Sequence, residues 1–158
     1  ELYTALQTGV IDATEWVGPY NDLAFGFQQV AKYYYFPGWH EPGSMLEFII
    51  NLDAWNELPT HLQSIVRTAA KAVNQDLLDE YTAMNNQALR ELIDVHNVQL
   101  KKLPDDVINE FRVISKSVLD EIAENDKQFK SIYESYLKFK SEVVSYHEIS
   151  EDAFTKIR

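Results

Sequence analysis

Between Pro59 and Pro104 the sequence contains neither glycine nor proline, and its apolar residues step by three or four the whole way. Leu62, Ile65, Val66, Ala69, Val73, Leu77, Tyr81, Met84, Ala88, Leu92 and Val95 carry the pattern, which is the repeat of one helix face. Pro59 suits the first helical turn, where its missing N–H costs nothing. The spacing predicts one helix of about 35 to 40 residues, roughly 55 to 60 Å long. Ordinary globular helices average about 11 to 12 residues, so a helix of this length either spans two domains or forms the seam of a bundle.

The elements on either side are short. Glu1 to Gln7 reads as a helical end closed by Gly9, and Val10 to Ala13 as a short buried strand. Gly18-Pro19 marks a turn, and Tyr20 to Lys32 reads as a helix through Leu23, Phe27, Val30 and Ala31. Tyr33-Tyr34-Tyr35-Phe36 is aromatic enough for a strand ended by Pro37-Gly38. Leu46 to Leu52 reads as a third strand, with Asn51 or Asp53 capping a helical turn through Trp55. Past the long helix, Pro104-Asp105-Asp106 opens another, with a proline and acids in its first turn. Asn125-Asp126 breaks or bends it, and a last short helix starts at Ser150. The expected fold class is α/β and helix-dominated, divided into a strand-containing lobe portion over 1–58, the long spanning helix over 59–101, and C-terminal helices over 102–158.

Composition removes several classes of function. With 158 residues and 46% hydrophobic content the chain can build a core. Its formal net charge of -11 repels phosphate backbones and anionic membrane surfaces, so no nucleic-acid partner is expected. No apolar run reaches the roughly 20 residues of a membrane helix, so no direct membrane insertion is expected either. Cysteine is absent, which excludes a disulfide framework, a thiolate nucleophile and cysteine-bound zinc. The four histidines, His40, His61, His96 and His147, lack ligand spacing. No nucleophile elbow, phosphate loop or dinucleotide fingerprint occurs, so the chain is not expected to be an enzyme.

Two motifs remain in the first fifty residues. Gly9-Val10-Ile11-Asp12-Ala13-Thr14-Glu15-Trp16 and Pro37-Gly38-Trp39-His40-Glu41-Pro42-Gly43 each set a carboxylate beside or near an indole, where an expected strand gives way to a loop. Glu15 and Glu41, with backbone carbonyls, form a hard-oxygen donor set suited to an alkali or alkaline-earth ion. The same carboxylates can equally cap turns or face water, and Trp16 and Trp39 can be rim aromatics or ligand platforms. Spacing alone does not choose between these readings.

These motifs, with Gly18-Pro19-Tyr20-Asn21-Asp22, Ala31-Lys32-Tyr33-Tyr34-Tyr35, Leu58-Pro59, Asn85-Asn86-Gln87-Ala88-Leu89, Leu103-Pro104 and Ser135-Tyr136, resemble the periplasmic substrate-binding proteins of tripartite ATP-independent periplasmic (TRAP) transporters. The nearest branch is the one that binds 2-oxo acids. The resemblance implies the C-terminal part of a two-lobed, periplasmic-binding-protein-like fold crossed by one long helix, with a small organic acid enclosed between the lobes. It implies a metal site of Glu15, Trp16 through its main-chain oxygen, and Glu41, holding a sodium or calcium ion shared with the substrate. Trp16, Trp39 and Glu41 are the substrate-binding positions it implies. It further implies a periplasmic location, TRAP membrane subunits as partners, and a homodimer formed through the C-terminal helices.

The chain lacks an initiator Met and opens within a helix, which points to a piece of a longer protein. The family's carboxylate-clamping arginine and a further glutamine ligand are then expected before Glu1, since Arg67, Arg90, Arg112 and Arg158 match no such motif. The competing expectation is a helical dimerisation module that binds no ligand.

Overall fold

A computed structural model describes the chain except for His40, Pro42, Ser44 and Met45. It divides into two compact units, residues 1–103 and 104–158. In the first, α1 (Leu2–Thr8) is closed by Gly9, whose left-handed φ of 72° suits a residue without Cβ. α2 (Pro19–Ala24) runs into a 3-10 turn at Phe27–Gln29. β1 (Tyr33–Phe36), α3 (Leu52–Glu57), α4 (Thr60–Asp94) and β2 (Gln99–Lys102) follow.

The long helix forms as its pattern requires, over 35 residues. Its two ends live in different surroundings. Near the C-terminal end, Ala88 and Leu92 are buried with Phe27 and Val98, and these make the core of the unit. From the N-terminal end to the middle, Ile65, Val73 and Leu78 stay about 60% exposed. α2 packs across α4: the Tyr20 and Tyr81 rings meet edge to face at 5.9 Å, and the Tyr20 amide donates to Asn85 Oδ1 at 2.9 Å. Gly18 permits this approach, since a Cβ there would sit 3.2 Å from that same oxygen.

β1 and β2 pair in parallel, with Tyr33 opposite Gln99 and Phe36 opposite Lys102. Parallel neighbours need a long crossover, and α3 with α4 supplies it. Backbone bonds from Gln99 N to Lys32 O (2.8 Å) and from Leu103 N to Phe36 O (2.7 Å) extend the ladder at both ends.

Three expectations about this unit are corrected. Val10 to Ala13 is not a strand: the Val10 amide turns back to Ala5 O at 2.9 Å and the Val10 side chain is 77% exposed. Leu46 to Leu52 is not a strand either, because no partner edge meets it among the described residues, although Asn51 does cap α3 by accepting from the Ala54 amide at 3.1 Å. The helix expected from Tyr20 to Lys32 stops at Ala24, since Gly26 takes a left-handed φ of 78° and tightens the chain into the 3-10 turn. β2 carries no strand signal of its own.

The second unit is three helices: α5 (Asp105–Asn125), α6 (Lys127–Ile149) and α7 (Glu151–Lys156). Asp126 breaks the first from the second, its Oδ1 accepting from the Gln128 and Phe129 amides at 2.8 and 2.9 Å, a capping arrangement that satisfies two orphan donors. α5 packs on α6 and α6 on α7, yet no residue in these helices is buried. Among the described residues no helix is long and apolar enough to cross a membrane.

Candidate functional site

Glu15 and Trp16 lie on the irregular segment that leads into α2. Trp16 is 41% exposed, and its indole stands edge to face on Phe25 with centroids 5.4 Å apart. Phe25 in turn stacks on Phe27 at 6.1 Å, and Phe27 belongs to the core. This aromatic chain fixes where Trp16 sits, and a T-shaped ring pair contributes about 0.5 to 1.5 kcal/mol beyond its buried area. Glu15 is exposed at the rim of the same cluster.

Behind that rim is a pair that residue types alone do not announce. Asp22, on α2, is only 7% exposed, and the Tyr34 hydroxyl on β1 donates to its Oδ2 at 2.5 Å. Burial pushes the Asp22 carboxyl above its ordinary range, while the Tyr34 hydroxyl and the Val17 and Gly18 amides pull it down. The Glu15 carboxylate is near enough to add a further upward push. Tyr34 is also raised, first by burial, then by its bond to Asp22, by the Asp22 charge and by that of Glu15. Glu15, Asp22 and Tyr34 therefore share one electrostatic neighbourhood. The second Asp22 oxygen, Oδ1, is buried and makes no hydrogen bond of good geometry, as are Asn21 Oδ1 and Gln28 Oε1 nearby in sequence.

Trp39 and Glu41, the other expected site residues, follow β1 in an exposed loop, and Trp39 is 44% exposed. His40 and Pro42 of the same motif lie outside the described residues. Among the described residues no group of three or more histidines, aspartates or glutamates is arranged to hold a metal ion. A hollow of about 380 Å³ lies along α3 and the first half of α4, lined by Phe48, Trp55, Val66 and Arg67 among others. None of the four expected site residues lines it.

The donor chemistry around Glu15 suits a hard cation. Its carboxylates are oxygen ligands of the kind that sodium and calcium take, and the buried Asp22 carboxylate has no lysine or arginine paired with it among the described residues. Sequence reasoning found Glu15 and Trp16 by residue type but assigned no role to Asp22, which reads as an ordinary first-turn acid. Its only local signal is a phenol twelve residues on, in a strand.

The parallel β-α-β unit with its exceptionally long crossover helix is an architecture that this chain shares with a solved solute-binding protein. Residues 1–126 match the family of DctP, bacterial extracellular solute-binding protein family 7, and the chain is a member of that family. It is 38% identical over 151 residues to the monocarboxylate 2-oxoacid-binding periplasmic protein of Nostoc sp., an alignment covering 96% of this chain and 41% of that protein. It also superposes on the TRAP transporter solute-binding protein of Bordetella bronchiseptica RB50 with a TM-score of 0.91 at 34% identity, covering 99% of this chain and 46% of that one. That crystal is a mixed-occupancy dimer, with copurified calcium and picolinate bound in one active site and the other apo. The chain thus spans less than half the length of these relatives. Its family is one of transport proteins rather than enzymes, and its location is periplasmic.

Proposed function

We infer that this chain supplies one side of the binding site of a TRAP substrate-binding protein that captures a small organic acid, a 2-oxo acid such as pyruvate, and hands it to the membrane subunits. A sodium or calcium ion sits between protein and substrate, held by the Glu15 carboxylate and the main-chain oxygen of Trp16, with Glu41 as a third oxygen donor. Trp16 and Trp39 flank the acid. The observation that carries this reading is the clustering of Glu15 with the buried, cation-free Asp22 carboxylate beside a half-exposed indole. A bound cation offsets the repulsion between these carboxylates and an anionic substrate. The relatives support the choice of ligand: one binds monocarboxylate 2-oxoacids, and another was found with calcium and a carboxylate-bearing aromatic ligand.

A bidentate guanidinium is the side chain best shaped to fix the orientation of the acid's own carboxylate. The four arginines are engaged locally: Arg67 stacks 4.7 Å over Trp55, Arg90 bonds Asn86, Arg112 bonds Asn109 and Arg158 lies 5.0 Å over Phe154. The clamp accordingly comes from the remainder of the full-length protein. The deciding experiment is a thermal-shift screen of the full-length protein against 2-oxo and 2-hydroxy acids, with and without calcium, because a ligand that binds only the folded state raises its melting temperature. A cation-dependent rise with pyruvate or a close homologue is expected; no rise with any acid would defeat the reading.

A dimer is part of the proposal. α6 exposes Ile132, Tyr136, Phe139, Val143 and Tyr146, each at least 43% exposed, at alternating steps of four and three. That is the spacing of a helix-helix seam.

A further inference from the structure

We propose that Asp22, fixed by Tyr34, is an electrostatic positioning residue for the cation at Glu15 and biases the site toward divalent over monovalent ions. The inference rests on the proposed cation site and adds to it a residue that ligates nothing.

Asp22 has the features such a residue needs. It is 7% exposed, so water screens its charge poorly. One oxygen is tied to the Tyr34 hydroxyl at 2.5 Å, which anchors the carboxylate to β1. The Asp22 amide bonds Gly18 O at 2.9 Å, closing the turn that delivers Glu15 and Trp16 to α2. The other oxygen is buried without a well-formed hydrogen bond, and no cationic side chain among the described residues neutralises the group. The segment that carries Glu15 closes on Asp22 through the Gly18 carbonyl, and the Glu15 charge bears on the Asp22 carboxyl, so a cation bound at Glu15 lies in the field of Asp22 as well.

That field acts in proportion to the charge it acts on. The stabilisation of a bound ion by a fixed negative charge doubles from a monovalent to a divalent ion. Removal of the Asp22 charge therefore costs calcium a certain factor and costs sodium only the square root of it. A residue that acted only through packing would not impose that relation.

The test is Asp22→Asn, nearly isosteric and still able to accept from Tyr34, in the full-length protein. Apparent affinities are read from thermal-shift titrations with calcium chloride and with sodium chloride, ionic strength held constant with choline chloride. Calcium binding is expected to weaken on the order of tenfold and sodium binding about threefold, with Asp22→Glu, which retains the charge, closer to the parent than Asp22→Asn for both ions. Equal losses for the two ions, or none, overturn the proposal. Should Asp22→Asn fail to fold, the double variant Asp22→Leu with Tyr34→Phe, which removes the charge and the hydroxyl together, carries the test, with the same unequal losses expected. Glu15→Gln separates the two readings. If it leaves both affinities unchanged, the cation site itself is wrong and this inference falls with it; if it removes binding while Asp22→Asn changes nothing, only this inference is wrong.

Discussion

Tyr34 and Asp22 are joined by a 2.5 Å hydrogen bond between the phenol and Oδ2, tying the first β-strand to α2 across twelve residues of sequence. Two interior polar groups that satisfy one another rigidify a core, whereas either one alone is costly. The pair holds the rim of the candidate site in register with the sheet behind it.

A pH dependence follows from the direction of the Asp22 shift. Its carboxyl is raised above 3.8 in the folded protein, mainly by burial. Between that value and the raised one, the folded state binds more protons than the unfolded state, so stability from this group is fully present below the unfolded value and is lost as pH rises through the folded one. Urea denaturation across pH 3.5 to 7 (about the span between the ordinary carboxylate and neutrality) should therefore give the parent a falling contribution that Asp22→Asn lacks. Indistinguishable slopes in parent and variant would refute the assignment. Tyr34, also raised, gives the alkaline counterpart: its stabilisation is intact below 10.0 and lost above it.

Leu92, on the buried end of α4, is 2% exposed. Its truncation leaves a cavity against Phe27 and Val98, with which it forms the small core. Leu92→Ala should cost about 2 to 5 kcal/mol, read as a lower denaturation midpoint. Leu78→Ala, at a position of the same helix that is 60% exposed, serves as the control and should cost under about 1 kcal/mol when the helix face carries no partner. Comparable losses at both sites would mean that the exposed half of α4 is covered in the full-length protein.

The contrast along α4 marks what was legible in the sequence. The helix itself was, since absence of glycine and proline over that interval leaves nothing to interrupt its period. β1 was legible because four successive aromatics favour a pleated surface. Its partner β2 was not: Gln99-Leu100-Lys101-Lys102 has one apolar residue, and its strand state comes from the edge that β1 offers, a non-local cause. Val10 to Ala13 and Leu46 to Leu52 fail in the opposite sense, with strand-like residues but no edge to pair with among the described residues. In the candidate site, Glu15 and Trp16 were legible as a carboxylate beside an indole. Asp22 was not, because only the packing of α2 against α4 and the reach of Tyr34 put it out of water.

The cation reading makes Glu15 its most exposed point. Glu15 is a surface residue of an irregular segment, so its truncation should leave folding nearly intact, within about 0.5 kcal/mol. Glu15→Ala should nevertheless weaken cation-dependent 2-oxo acid binding by the full-length protein on the order of a hundredfold, the upper end of what even indirect partners of a metal contribute. Calorimetry with pyruvate in calcium-containing and chelator-treated buffer measures this. A variant that keeps parental affinity in calcium would return Glu15 to the role of a solvated rim acid.

The seam on α6 gives the last expectation. Ile132, Tyr136, Phe139, Val143 and Tyr146 line one stripe of a helix with no buried residue of its own, and a contiguous apolar stripe of this kind in water favours self-association. A second copy of the chain is the occupant that suits it, because the stripe is self-complementary under a two-fold axis and the Bordetella relative crystallised as a dimer. Light scattering of the full-length protein at tens of micromolar should return twice the monomer mass. The double substitution Tyr136→Glu and Phe139→Glu places like charges at the centre of the seam, where each desolvated carboxylate opposes its symmetry mate, and should return the monomer mass with ligand affinity unchanged. Persistence of the dimer in that variant would assign the contact to another face, and a monomeric parent would leave the seam to be covered from within the full-length chain.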